Sequence, residues 1–249
     1  MRPILLAVFL AAVTSTASAA TRFDFDCRKE GFGGFEFHGH AILEGTDVRY
    51  DITSGNHPLF NPEYTIISKD RGARLIVLDH RHRTYFIRDT LRMTGPLGTF
   101  RAPGQETITK RSVHLSDEER GADARVYTLR VSYAADVKLE GEEMRAQVTA
   151  VAHVTTSLLA DAKAVPYGLA FALKTGDRDL DFDIANLMQK RGLPLHQQVR
   201  VTRIIADGSP STEELTLDTS NLRTIANEAW HFQPPAAYAP AEPNFRIGE

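Results

Sequence analysis

The chain is poor in the features that usually announce a chemistry. It has a single cysteine, Cys27, in 249 residues. That excludes an intramolecular disulfide and any cysteine-based metal framework. Its formal net charge is −3, with lysines and arginines scattered through the chain, and nucleic-acid binding calls for clustered basic residues. After the N-terminal segment no apolar stretch is long enough to cross a membrane. There is no G-x-S-x-G, no H-E-x-x-H, no internal repeat and no low-complexity linker. No cofactor is expected and no catalytic apparatus is evident, so an enzyme is not expected. Stability must come from a hydrophobic core, which this length can bury in one β-rich domain or two smaller ones.

The N-terminus is informative. Arg2 precedes an apolar run over residues 4–13, and a small-residue stretch ends Ala17-Ser18-Ala19-Ala20. A basic start, a short apolar core and an A-x-A site make residues 1–19 a secretory signal peptide. The run is too short to span a bilayer comfortably. Cleavage is expected after Ala19 or Ala20, leaving a periplasmic protein, residues 20–249, as a single domain. Cys27 follows Phe23-Asp24-Phe25-Asp26, whereas a lipid-attachment cysteine follows small apolar residues, so no lipid anchor is expected. It reads as a buried, inert strand residue; as a nucleophile it would need a nearby base.

Most of the mature chain alternates with period two, the pattern of half-buried strands. Phe35, Phe37, Gly39, Ala41 and Leu43 alternate with Glu36, His38 and His40; Val48, Tyr50 and Ile52 alternate with Arg49 and Asp51. Residues 64–68 form another strand, and 74–78 and 84–88 flank a polar hairpin turn, Asp79-His80-Arg81-His82-Arg83. Residues 94–106, with two prolines and three glycines, read as a loop. Long strands are expected over 125–139 and 144–156, with a tight hairpin at Glu140-Gly141-Glu142, and later over 195–205 and 213–222. One helix is expected over 178–191. Asp177 caps it, Asp179, Asp181 and Asp183 suit its positive end, and Leu180, Ile184, Leu187 and Met188 recur at helical spacing. Lys190, Arg191 and Gly192 mark its stop. Residues 157–173 read as a helix or an irregular segment, and the tail from Gln233 as extended. The fold class is α+β: one large antiparallel sheet with a few helices on one face.

The motifs that carry chemistry each have a plainer reading. His38 with His40, and His80 with His82, share i, i+2 spacing, which on a strand presents two imidazoles to one side, as for a metal. Yet the first pair lies on a polar strand face and the second alternates with Arg81 and Arg83, which oppose a dication. No metal site is expected. The acidic pairs Glu118-Glu119 and Glu142-Glu143 read as solvated turns. Gly31-Phe32-Gly33-Gly34 looks like a phosphate loop, but no helix follows it, so it reads as a turn or bulge. Trp230, His231 and Phe232 read as the anchor of the C-terminal tail or, less readily, as a ligand contact.

The order of elements is similar to that of the LolA-like exported proteins. The resemblance is carried by Tyr64-Thr65-Ile66-Ile67-Ser68 through Leu75-Ile76-Val77-Leu78-Asp79 to Arg83-Thr84-Tyr85-Phe86, then by Gly192-Leu193-Pro194-Leu195 and by Phe232-Gln233-Pro234-Pro235-Ala236-Ala237-Tyr238. It implies a curved, unclosed half-barrel with helices on its concave side. In the LolA and LolB branch that concavity holds acyl chains. This chain departs from the branch around residues 94–124, which are long and polar, and shows no clear counterpart of the arginine LolA uses in gating. No family residue therefore carries over by position. The expected function is binding of a lipid, an acylated or envelope partner protein, or another hydrophobic ligand. Phe35, Phe37, Tyr127, Leu129, Val131 and Tyr133 should line the sheet side of an apolar cavity, with Leu187 or Met188 opposite. The alternatives are a non-catalytic structural or interaction protein of the envelope with a filled core and, less readily, a metal-dependent hydrolase.

Overall fold

The structure is a computed structural model that describes residues 19–31, 33–89, 108–120, 124–139, 142–157, 177–188, 191–204, 208–226 and 228–242. Its strands are β1 (Ala19–Glu30), β2 (Phe35–Glu44), β3 (Asp47–Gly55), β4 (Tyr64–Lys69), β5 (Arg74–Asp79), β6 (Thr84–Asp89), β7 (Ile108–Arg120), β8 (Ala124–Leu139), β9 (Glu142–Ser157), β10 (Leu193–Ile204), β11 (Pro210–Ala226) and β12 (Ala239–Pro240). All belong to one sheet in the order β12-β6-β5-β4-β3-β2-β1-β11-β10-β9-β8-β7. Two antiparallel meanders, β1–β6 and β7–β11, are joined where β11 returns beside β1. β12 alone pairs in parallel, with β6. The outermost strands, β12 and β7, do not pair with each other, so the sheet is unclosed and half-barrel-like. Right-handed strand twist makes a sheet this wide curl rather than lie flat.

Alternation sorts the side chains onto two faces. Phe23, Phe25 and Cys27 of β1, Phe35 and Phe37 of β2, Leu215 and Leu217 of β11, Val199 and Val201 of β10, and the matching positions of β8 and β9 form one continuous core. This is the inner face. A second, smaller cluster on the outer face holds Ala20, Ile42, Ile67, Ile76, Leu78 and Phe232. β4 and β5 are thus covered on both sides, which explains why residues 65–68 and 75–79 are buried without alternation. Gly39 sits in phase with Phe37 and Ala41; a Cβ there would strike the Asp51 carbonyl and the Phe25 ring, which occupies that space.

One α-helix is present among the described residues, α1 (Arg178–Met188), where the sequence suggested a few. Its described part runs to Met188; residues 189–190, within the expected 178–191, lie outside the described residues, and Arg191 is no longer helical. Asp177 caps it, its Oδ1 accepting the Leu180 N–H at 2.9 Å. Leu180, Ile184 and Met188 are buried in the inner core and Leu187 packs partly against it. Arg111 of β7 reaches Asp177 at 2.8 Å and Asp179 at 3.4 Å, tying the start of α1 to the edge strand. At its other end Arg191 lies over the Tyr127 ring, 5.6 Å from its centroid, and bonds the Leu187 carbonyl. Gly192 (φ +90°) lets the chain turn against the Ser157 carbonyl, where a Cβ would collide.

Other expectations meet the structure unevenly. β7 runs through a region that read as long and polar: its alternation is broken by a bulge between Thr109 and Ser112, which moves the apolar phase from Ile108 to Val113 and Leu115. The pairs Glu118-Glu119 and Glu142-Glu143 lie in β7 and β9, not in turns. Trp230 is 59 % exposed, so the tail is anchored by its buried neighbours His231 and Phe232. Residues 94–106 and 158–173, and residues 1–18 of the expected signal peptide, lie outside the described residues. Ala19 and Ala20 open β1. No helix among the described residues is long and apolar enough to cross a membrane.

Candidate functional site

The inner face is built by strand register. Directly opposed residues on neighbouring strands point to the same side. Leu217, Gln197, Val154 and Tyr127 form one such row across β11, β10, β9 and β8. Leu215, Val199, Ala152 and Leu129 form the next, followed by Glu213, Val201, Ala150 and Val131, and then by Val148 with Tyr133. Tyr127, Leu129, Val131 and Met188 are buried, and Tyr133 and Leu187 sit at the margin of the same core. Phe35 and Phe37 belong to that core as well, but four strands separate β2 from β8. Around β2 the face is filled by rings. Phe37 stacks on Phe60 (centroids 4.6 Å apart) and on Phe35 (5.8 Å), and meets Phe25 edge-on (6.1 Å).

His57 closes this aromatic group and is a residue the sequence reading missed. Its ring meets Phe35 edge-on at 4.7 Å. Its Nδ1 accepts the N–H groups of Leu59 and Phe60, both at 3.1 Å, so the proton sits on Nε2. Burial lowers its pKa to about 4. Because the folded pKa lies below the unfolded 6.5, this contribution is fully present above pH 6.5. It is lost as pH falls from there through 4, to a total of about 3 kcal/mol. Denaturant titration at pH 7 and at pH 4.5 should show wild type losing more stability than His57→Asn; equal losses would contradict the assignment.

The ends of the inner face are polar. At one end Lys29, Glu213 and Arg203 form a buried triad, with Lys29 Nζ 3.3 Å and Arg203 Nη1 2.7 Å from the Glu213 carboxylate. At the other end Arg125 faces Thr156 across β8 and β9, and Gln197 and Thr219 stand on the adjoining strands β10 and β11. None of these polar residues was singled out from sequence. Their signal was phase: Gln197 and Arg203 fall in step with Leu193, Val199 and Val201, and Glu213 with Leu215 and Leu217, all on the buried side.

The histidine pairs sit on the outer face, each ring already engaged. His38 Nδ1 is 2.6 Å from Asp26, and His40 Nδ1 is 2.5 Å from Asp24. Hydrogen bonds from Asn221 and His40 hold the Asp24 carboxyl below its usual range. His82 bonds Asp79 at 2.8 Å; burial alone would raise the Asp79 pKa, and the His82 bonds outweigh it. His80 stands between Thr65 (2.9 Å) and the Tyr238 hydroxyl (2.7 Å). Thr65 donates to Asp51 at 2.8 Å. Its oxygen therefore accepts from His80 Nε2–H, and Tyr238 donates to Nδ1. With every proton directed toward Asp51, His80 cannot act as a base on Thr65; the chain clamps the tail. Among the described residues no group of three or more His, Cys, Asp or Glu side chains could hold a metal.

Burial and the neighbouring Asp26 raise the Cys27 thiol far above its ordinary pKa, so it is not a nucleophile. A shallow outer groove is lined by Val151, His153, Gln198 and Arg200. Its polar side chains are committed to Thr128 and Glu214. The inner face, one continuous apolar surface between two polar ends, is therefore the candidate site. No family model matches the chain, and no curated protein matches it.

Proposed function

We propose that the protein is an exported, periplasmic LolA-like half-barrel that holds an acyl chain, free or on an acylated partner, against its inner face. The observation that carries this reading is an unclosed sheet whose inner face stays apolar from β2 to β8. The row of Leu215, Val199, Ala152 and Leu129 carries no charge, and in the next row Glu213, at the β11 end, is neutralised by Lys29 and Arg203. A sugar or ion there would lose its hydration without compensation. A methylene gains about 0.8 kcal/mol on burial, so about ten of them give about 8 kcal/mol, which is about micromolar affinity.

A second reading is favoured by the stacked rings of Phe35, Phe37 and Phe60. In it the protein's own side chains fill the inner face throughout, and the molecule is a structural or interaction protein of the envelope. A fluorescent fatty acid separates the two. On the carrier reading it binds with about micromolar affinity and is displaced by phospholipid. Leu129→Trp, on the central row of β8, weakens binding while the protein stays folded. No binding, with no lipid shifting the Tm, establishes the scaffold reading instead.

A further inference from the structure

Gln197 is completely buried (0 % exposed) on the inner face of β10. Its cross-strand partners are the core residues Leu217 and Val154. Among the described residues neither its Nε2 nor its Oε1 has a hydrogen-bond partner. Buried carboxamides in native proteins are almost always paired, because the lost hydration is otherwise uncompensated. The hydroxyls of Thr156 and Thr219 are buried and unpartnered in the same way. Thr219 lies two residues beyond Leu217 on β11 and Thr156 two residues beyond Val154 on β9, the diagonal neighbours of Gln197. Arg125, whose Nε is also buried and unpartnered, faces Thr156 across β8. Four adjacent strands thus bring orphaned polar groups to one end of an apolar face.

We propose that this cluster is the polar subsite of the inner face, and that the acyl chain it serves is joined to its head through an uncharged amide. The inference rests on the carrier reading and specifies its ligand. Gln197 presents one donor group and one acceptor, whose complement is another amide with its C=O and N–H. A carboxylate only accepts, so it would leave Oε1 unpaired and bring a charge into an apolar setting. A carboxylate paired with Arg125, whose backbone lies two strand spacings (about 10 Å) away on β8, would still give Gln197 Oε1 no donor, because a carboxylate and a guanidinium engaged with each other leave that acceptor facing an oxygen. The hydroxyls of Thr156 and Thr219 both donate and accept, and so suit the flanks of a neutral group.

The test compares dodecanamide with dodecanoate, each displacing anilinonaphthalene sulfonate from the full mature chain. The proteins are wild type, Gln197→Leu and the outer-face control Gln198→Leu. Wild type should prefer the amide. Gln197→Leu should weaken amide binding about tenfold, as expected for one net buried hydrogen bond. It should leave dodecanoate nearly unchanged and the Tm of the free protein unchanged or raised; Gln198→Leu should keep the preference. Gln197→Met, of similar shape, serves should the leucine variant misfold. If both ligands bind wild type and Gln197→Leu alike, the amide subsite is overturned while the carrier reading stands, and Gln197 holds a structural water. If neither ligand binds wild type, both are overturned.

Discussion

Replacing Glu213 by alanine should destabilise the protein by about 3–5 kcal/mol, the cost of removing one partner from a buried ion pair. Lys29, Glu213 and Arg203 are 6 %, 7 % and 2 % exposed. The Glu213 carboxylate is shared, with Oε1 facing Lys29 and Oε2 facing Arg203. Its loss leaves two buried cations, on β1 and β10 either side of β11, without the anion between them. The exposed pair Arg28–Glu30 is the control, and Glu30→Ala should change stability by less than about 1 kcal/mol. Replacing all three triad members together by apolar residues of similar volume should cost far less than Glu213→Ala alone. Urea denaturation at pH 7 measures each. A Glu213→Ala loss no larger than that of Glu30→Ala would mean the triad is solvated.

Phe37→Ala should cost about 3–5 kcal/mol, the range for an aromatic side chain removed from a packed core. Its ring contacts Phe25, Phe35, His57 and Phe60 at centroid distances of 4.6–6.1 Å and is 2 % exposed. Glu36→Ala, one residue away on the outer face, should stay within about 0.5 kcal/mol. The contrast also bears on the ligand. A large loss at Phe37 means the β2–β3 side of the inner face is filled by the protein itself, which leaves the β8–β11 side to a ligand. A loss under about 1 kcal/mol would mean that the rings border open space.

Much of the sheet was legible because period-two alternation survives wherever one face is dry. β2, β3, β8 and β10 fall within a few residues of their expected ranges. Helix α1 was legible from its Asp177 cap and apolar stripe. β7 was not, because one bulge reverses its phase and splits its apolar residues into two short sets. The outer cluster was hidden for another reason. Phe232 and Tyr238 cover β4 and β5 from a tail far away in sequence, and local patterning does not record which distant segment lies above a strand. The eight residues expected to line the ligand face do belong to one core, yet Phe35 and Phe37 are enclosed by His57 and Phe60. Gln197, Arg203 and Glu213 were visible as polar residues in step with apolar ones, a pattern that reads as noise until the register shows them stacked on adjacent strands.

The most direct test of acyl-chain carriage is native mass spectrometry of the protein purified, untagged and without detergent, from the envelope extract of its own cells. The carrier account predicts a chain beginning at Ala20 or Thr21 that carries a lipid-sized mass, released on denaturation as an acyl-bearing molecule. A chain of bare polypeptide mass, with no lipid in the organic extract, would contradict it.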